Sequence, residues 1–125
     1  DEMRVFQGGA ILPGMQLMFQ SLHDYTAKLP LIHEWDLDRP YDEYDARPPG
    51  KNTENAIVCG VIGAACGGVD NLILKIGERC QSPPMVFITG GMGRSVHYHL
   101  GSRRSWTYRE KLTLEGIRIA AESLP

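Results

Sequence analysis

Apolar residues at Met15, Met18, Phe19, Leu22, Tyr25 and Leu29 follow the i, i+3, i+4, i+7 rule that gives a helix one apolar face. Pro13-Gly14 opens this helix and Pro30 ends it. Upstream, Met3 to Gln7 and Ala10 to Leu12 are β-prone runs on either side of Gly8-Gly9. They predict one strand interrupted by a bend or by the close approach of another backbone. A second helix should start at Asn52 or Thr53, either of which can cap it, and reach about Arg79. Gly60, Gly63 and Gly67 lie on its adjoining turns, each costing up to ~1 kcal/mol relative to alanine, so close packing against another backbone is expected there. Pro83-Pro84 stops the chain, and Met85 to Thr89 is a short continuous apolar run of the kind found in a sheet buried on both faces.

Arg94 to Leu100 predicts one or two helical turns, and Ser102 to Arg109 is polar and basic, with Trp106 and Tyr108 alternating as in a strand. A last helix, about Lys111 to Ser123, gathers Leu114, Ile117, Ala120, Ala121 and Leu124 on one side. Between the first two helices, residues 31–51 combine prolines with six acidic residues and no periodicity, which predicts a surface loop. The order is strand, helix, helix, strand, helix, so residues 1–125 form one α/β layered domain.

Composition narrows the class without changing that picture. The chain has 125 residues, 42% apolar and 22% charged, which suits a folded domain and not a disordered one. A net charge of -2 provides no basic field for nucleic acid or anionic lipid. The longest apolar stretch, Ala56 to Val69, has 14 residues, against about 20 for a bilayer span, and reads as a buried segment. Three cysteines without CxxC spacing do not make a disulfide framework, and a reducing, cytoplasmic setting is expected. Asp1-Glu2-Met3-Arg4 has no basic and apolar character, so no targeting signal is expected from it.

Val86-Phe87-Ile88-Thr89-Gly90-Gly91 is the most informative local feature. An apolar strand that ends in paired glycines lets backbone come into contact with a flat or phosphorylated ligand. Such a strand is also a common purely structural turn. The Thr53 hydroxyl can cap the helix or meet a polar ligand, and the two roles are compatible. His97 and His99 fall short of the three or four ligands of a zinc site. Asp36, Asp38, Asp42, Glu43 and Asp45 lack the EF-hand spacing and read as a solvated acidic loop. Cys59 and Cys66, seven apart with no base nearby, read as core fillers. Arg94, Arg103, Arg104 and Arg109 read as charged surface near a ligand cleft.

Four segments together carry a family resemblance: Gln7-Gly8-Gly9-Ala10-Ile11-Leu12-Pro13-Gly14; Asn52-Thr53-Glu54-Asn55-Ala56-Ile57 with Gly60 and Gly63; Val86 to Gly91; and Leu112-Thr113-Leu114-Glu115-Gly116-Ile117. The chain resembles the C-terminal half of a type III pantothenate kinase. That resemblance implies a ribonuclease H-like half of the actin, sugar-kinase and acetate-kinase superfamily fold, incomplete at its N-terminal strands. It implies that Gly90 and Gly91 lie at the ATP site and Thr53 at the pantothenate site. It further implies ATP, magnesium and a monovalent cation such as potassium or ammonium as cofactors, and a homodimer. Residues 33–50 and 92–109 depart from the family pattern.

The family's Asp-x-Gly-Asn-Thr phosphate loop, Gly-x-Asp-Arg segment and Asp-x-Gly-Thr-Ala second phosphate loop do not occur in these residues. Phosphoryl transfer depends on positioning and on neutralising charge. The chain alone is therefore expected to be inactive, with no catalytic residue and no metal ligand of its own, as a truncation, a mis-set start or a processed fragment. The rival expectation is a non-catalytic module, either a regulator akin to an accessory factor for transcriptional activation or a dimerisation unit.

Overall fold

In a computed structural model of the chain, residues 5–33, 47–91, 93–100 and 106–124 are described. Helix α1 covers Met15–Asp24 and α2 Thr53–Gly77; β1 is Phe87–Ile88, α3 Gly93–Leu100, β2 Thr107–Tyr108 and α4 Leu112–Glu122. The strands pair in parallel, Phe87 opposite Thr107 and Ile88 opposite Tyr108. The Thr107 amide donates to the Val86 carbonyl at 3.0 Å and the Arg109 amide to that of Ile88 at 2.8 Å. A parallel pair needs a crossover, and α3 supplies it. The result is a small β-α-β unit leaning on a helical pair.

The core is the inner face of α2. Ile57, Val58, Val61, Ile62, Ala65 and Cys66 are buried there against Met15 and Phe19 of α1, with Ile32 closing one end. Val96 and Leu100 of α3 and Leu22 and Leu29 pack at its margin. Phe19 and Val58 are fully enclosed. Truncating a side chain such as Phe19 at the middle of so small a core typically costs about 3–5 kcal/mol.

α2 begins where Asn52, extended, accepts the Asn55 amide at 2.8 Å with its side-chain oxygen. Of the two cap candidates the structure uses Asn52, and Thr53 is the first helical residue. Gly50 lies directly beneath this start. A β-carbon there would come under 3.0 Å from the backbone of Asn55 and Ala56, so only glycine lets the incoming chain pass so close.

Several elements differ from the sequence expectation. The described part of the first β-prone run, residues 5–12, pairs with no strand, because a strand is stabilised by its neighbours and no described strand lies alongside it. Gly8 takes φ +95°, which accounts for the bend. α1 stops at Asp24 instead of near Leu29. Its last carbonyls are taken by side chains, Ser21 Oγ donating to Met18 and Thr26 Oγ1 to Leu22, the competition that ends helices at such residues. His23 Nδ1 then donates to the Leu29 carbonyl at 2.8 Å, folding Leu29 back onto the core.

The glycines of α2 also differ from expectation. A β-carbon at Gly60, Gly63 or Gly67 would meet nothing within 4 Å. Gly68 is the close-packed one, with Leu12 Cδ2 at 3.1 Å from the position its β-carbon would take. α2 is long and apolar enough to cross a bilayer by length and composition alone, but a third of that stretch is buried inside the fold. α4 has no buried residue, and Leu114 and Ile117 on it, with Leu124 just beyond it, are exposed. The acidic loop at 34–46, Arg103 and Arg104 lie outside the described residues.

Burial pushes the His99 imidazole below its usual range. A base whose folded pKa lies below its unfolded value binds fewer protons folded than unfolded, so its stabilising contribution is complete above about pH 6.5 and lost as pH falls through the folded pKa. Urea titrations from pH 8 to pH 5 should show stability falling below about pH 6.5, and His99→Gln should remove that component. In the same assay Gly50→Ala should cost about 1–3 kcal/mol, because the backbone it meets must shift; an unchanged midpoint would contradict the close approach.

Candidate functional site

The strand β1 runs directly into Thr89, Gly90 and Gly91. Gly90 takes φ +89°, a left-handed conformation that residues with a β-carbon rarely adopt, and its carbonyl accepts the Gly93 amide at 3.0 Å. This closes a tight turn from strand to helix. Thr89 Oγ1 donates to the Glu110 carbonyl at 3.4 Å, tying the end of β1 to the end of β2. Gly90 and Gly91 are both exposed. They present bare backbone, which the first turn of α3 follows at once. Helix N-termini carry unpaired amides and a partial positive charge, which suits an anionic or polar group.

A third glycine completes the turn, and the sequence reading passed it over. Gly93 is buried, and a β-carbon on it would lie 3.0 Å from Ile88 Cγ2 and from Tyr108 Cε2. Its missing side chain lets α3 rest directly on the β1–β2 pair, as a packing glycine does in strand-turn-helix motifs. The Gly-Gly-Met-Gly spacing at 90–93 was the available signal. On the next turns of α3, the His97 ring stacks on Tyr108 with centroids 6.0 Å apart. Its Nδ1 is enclosed without a hydrogen-bond partner.

Thr53 sits on a different element. It is exposed at the start of α2, and because Asn52 makes the cap the Thr53 hydroxyl is not needed for it. The structure thus brings Gly90 and Gly91 together in one turn and leaves Thr53 apart from them. The two elements are linked through α2 packing on α3.

Among the described residues no three His, Cys, Asp or Glu side chains come together. Cys66 is buried and its thiol is pushed up by that burial, the opposite of a reactive thiolate. Cys59 is half-buried and Cys80 exposed; Cys59 fills the core only in part. Arg109 lies 3.8 Å from Glu115 on the surface, which is worth little to stability.

The family profile described as type III pantothenate kinase matches residues 1–75. A type III pantothenate kinase of Anaeromyxobacter sp. (strain K) is 36% identical over 121 residues, covering 94% of this chain and 42% of the relative. One from Fervidobacterium nodosum is 37% identical over 87 residues, 70% of this chain and 31% of that protein. One from Syntrophotalea carbinolica is 31% identical over 120 residues, 91% of this chain and 41% of that protein. The chain spans less than half the length of these relatives. The profile match takes in α1 and nearly all of α2, and the Anaeromyxobacter and Syntrophotalea matches span nearly all of the chain. With its profile match over more than half its length, the chain belongs to the type III pantothenate kinase family.

Proposed function

We propose that this chain is the ligand-binding C-terminal lobe of a kinase that phosphorylates pantothenate with ATP on the way to coenzyme A. The observation that carries the reading is the Gly90-Gly91 turn: a left-handed glycine at the end of a strand, with bare backbone exposed and a helix N-terminus beginning two residues on. Gly90 and Gly91 line the nucleotide site, where a side chain would hold a flat base away from the backbone. Thr53, released from capping by Asn52, gives its hydroxyl to pantothenate.

The chain's part in phosphoryl transfer is to bind and orient, since such catalysis is positioning plus charge neutralisation. The carboxylates that would activate the pantothenate hydroxyl and hold magnesium come from the remainder of a full-length enzyme. A monovalent cation, a homodimeric assembly and a cytoplasmic location belong to the same proposal. So does the absence of nucleic acid and of membrane among its partners.

One observation favours the rival, a non-catalytic regulatory or dimerisation module. Phe6, Ile11, Met85, Ile117 and Leu124 are all exposed, and large apolar side chains left bare in such number are what an interface would cover.

Thermal shifts separate the two readings. A ligand that binds only the folded state raises stability by RT ln(1 + [L]/Kd), about 2.7 kcal/mol at 100 Kd. The chain should respond to millimolar ATP with magnesium and to pantothenate. Gly90→Val should abolish the first response and Thr53→Val the second. Asn52→Ala is the control: loss of the cap should cost about 1 kcal/mol of stability while the pantothenate response persists. No response to either ligand, with the fold intact, would favour the module.

A further inference from the structure

The unit formed by β1, the glycine turn, α3 and β2 closes on itself. The Gly93 amide donates to the Gly90 carbonyl at 3.0 Å, which makes the turn. On either side of Tyr108 the Thr107 amide donates to Val86 and the Arg109 amide to Ile88, at 3.0 and 2.8 Å. The backbone of Tyr108 is therefore tied to β1 from both sides. What remains is the seat of α3 on the strands, and side chains make that joint.

The ring of Tyr108 forms much of it. Its Cε2 and Cδ2 lie 3.0 and 3.6 Å from the position that a β-carbon on Gly93 would take, so the ring fills the room a methyl group would need. One helical turn on, and so on the same face of α3, the His97 ring stacks on Tyr108 with centroids 6.0 Å apart and planes 28° from parallel. Tyr108 is thus gripped at two heights of α3, and it sets both the distance of that helix from the strands and its tilt. His97 keeps its place for the ring contact and not for a hydrogen bond, since its enclosed Nδ1 finds no partner among the described residues, a loss that packing has to offset. Contacts this close transmit a displacement instead of absorbing it.

We infer that Tyr108 is a positioning residue for the Gly90-Gly91 turn: wedged under Gly93 and against His97, its ring fixes where α3 stands and thereby where the bare backbone of the turn is presented. The inference rests on the nucleotide reading of that turn and adds a residue that acts through it. Phosphoryl transfer is sensitive to such placement because it depends on positioning, and a misplacement of about 1 Å far from the chemistry can cost about 100-fold in rate.

Two-dimensional NMR of the labelled chain, with titrations of ATP plus magnesium and of pantothenate, tests it. Gly93→Ala places a methyl group 3.0 Å from Tyr108 Cε2. The ring is stacked on His97 and tied down at both neighbours, so α3 should lift and the Gly90 and Gly91 amide resonances should move. ATP should bind at least about 10-fold more weakly and pantothenate as before, because Thr53 stands on another element. Gly93→Ala/Tyr108→Val exchanges the ring for the methyl group, and should bring the resonances back towards their native positions and ATP affinity to within about 3-fold of native. Tyr108→Phe keeps the ring and should keep both. Unmoved Gly90 and Gly91 resonances in Gly93→Ala would overturn the inference. So would a double variant that recovers no more than the single one, or a loss of affinity shared equally by ATP and pantothenate. Should Gly93→Ala melt the unit outright, its recovery in the double variant decides in the same way. Resonances that move and recover as described, in a chain that binds no ATP, support the positioning role and overturn the kinase reading instead.

Discussion

Everything in this fold depends on one contact, the inner face of α2 against α1. Phe19 and Val58 are fully enclosed there, and Ile57, Val61, Ile62, Ala65 and Cys66 complete the surface. α3 reaches that core through Val96 and Leu100. It in turn seats the two-stranded sheet through the bare Gly93, which lies against Ile88 and Tyr108. The glycine turn at Gly90-Gly91 is thus held in place by a chain of packing that starts at α2. Weakening that first contact would loosen the proposed site without touching it.

The same contact explains why so much of the chain looks unfinished. Hydrophobic stabilisation scales with the area removed from water, and α2 spends only one side of its apolar surface on the core. α4 spends none. Relatives are more than twice as long as the matched region, so surfaces bare here have an obvious source of cover in a full-length enzyme.

The helices were legible because their patterns are local. α2 was read to within two residues of its end, and α4 to within one at either end. The crossover helix was visible between two strand-like runs, though the parallel pairing was not, since register is a long-range property. The first strand failed for the same reason: Val5 to Leu12 has the composition of a strand but no described neighbour to pair with. α1 was read too long because apolar spacing ignores hydroxyl competition at Ser21 and Thr26. The turn at Gly90 and Gly91 was legible because paired glycines follow an apolar run there. Gly93 was missed because packing against Ile88 and Tyr108 cannot be seen along the chain. For Thr53 the sequence left open whether it or Asn52 caps the helix, and only the geometry at Asn52 separated capping from availability.

Native-state hydrogen exchange on the chain tests this account most directly, because exchange rates report the free energy of local opening residue by residue. Amides from Val58 to Cys66 should be the slowest, those of α3 and the β1–β2 pair intermediate, and those of α4 nearly unprotected. Protection in α4 equal to that in α2 would mean that the last helix is held by a contact the structure does not contain, and the account of a fold built outward from one face of α2 would be wrong.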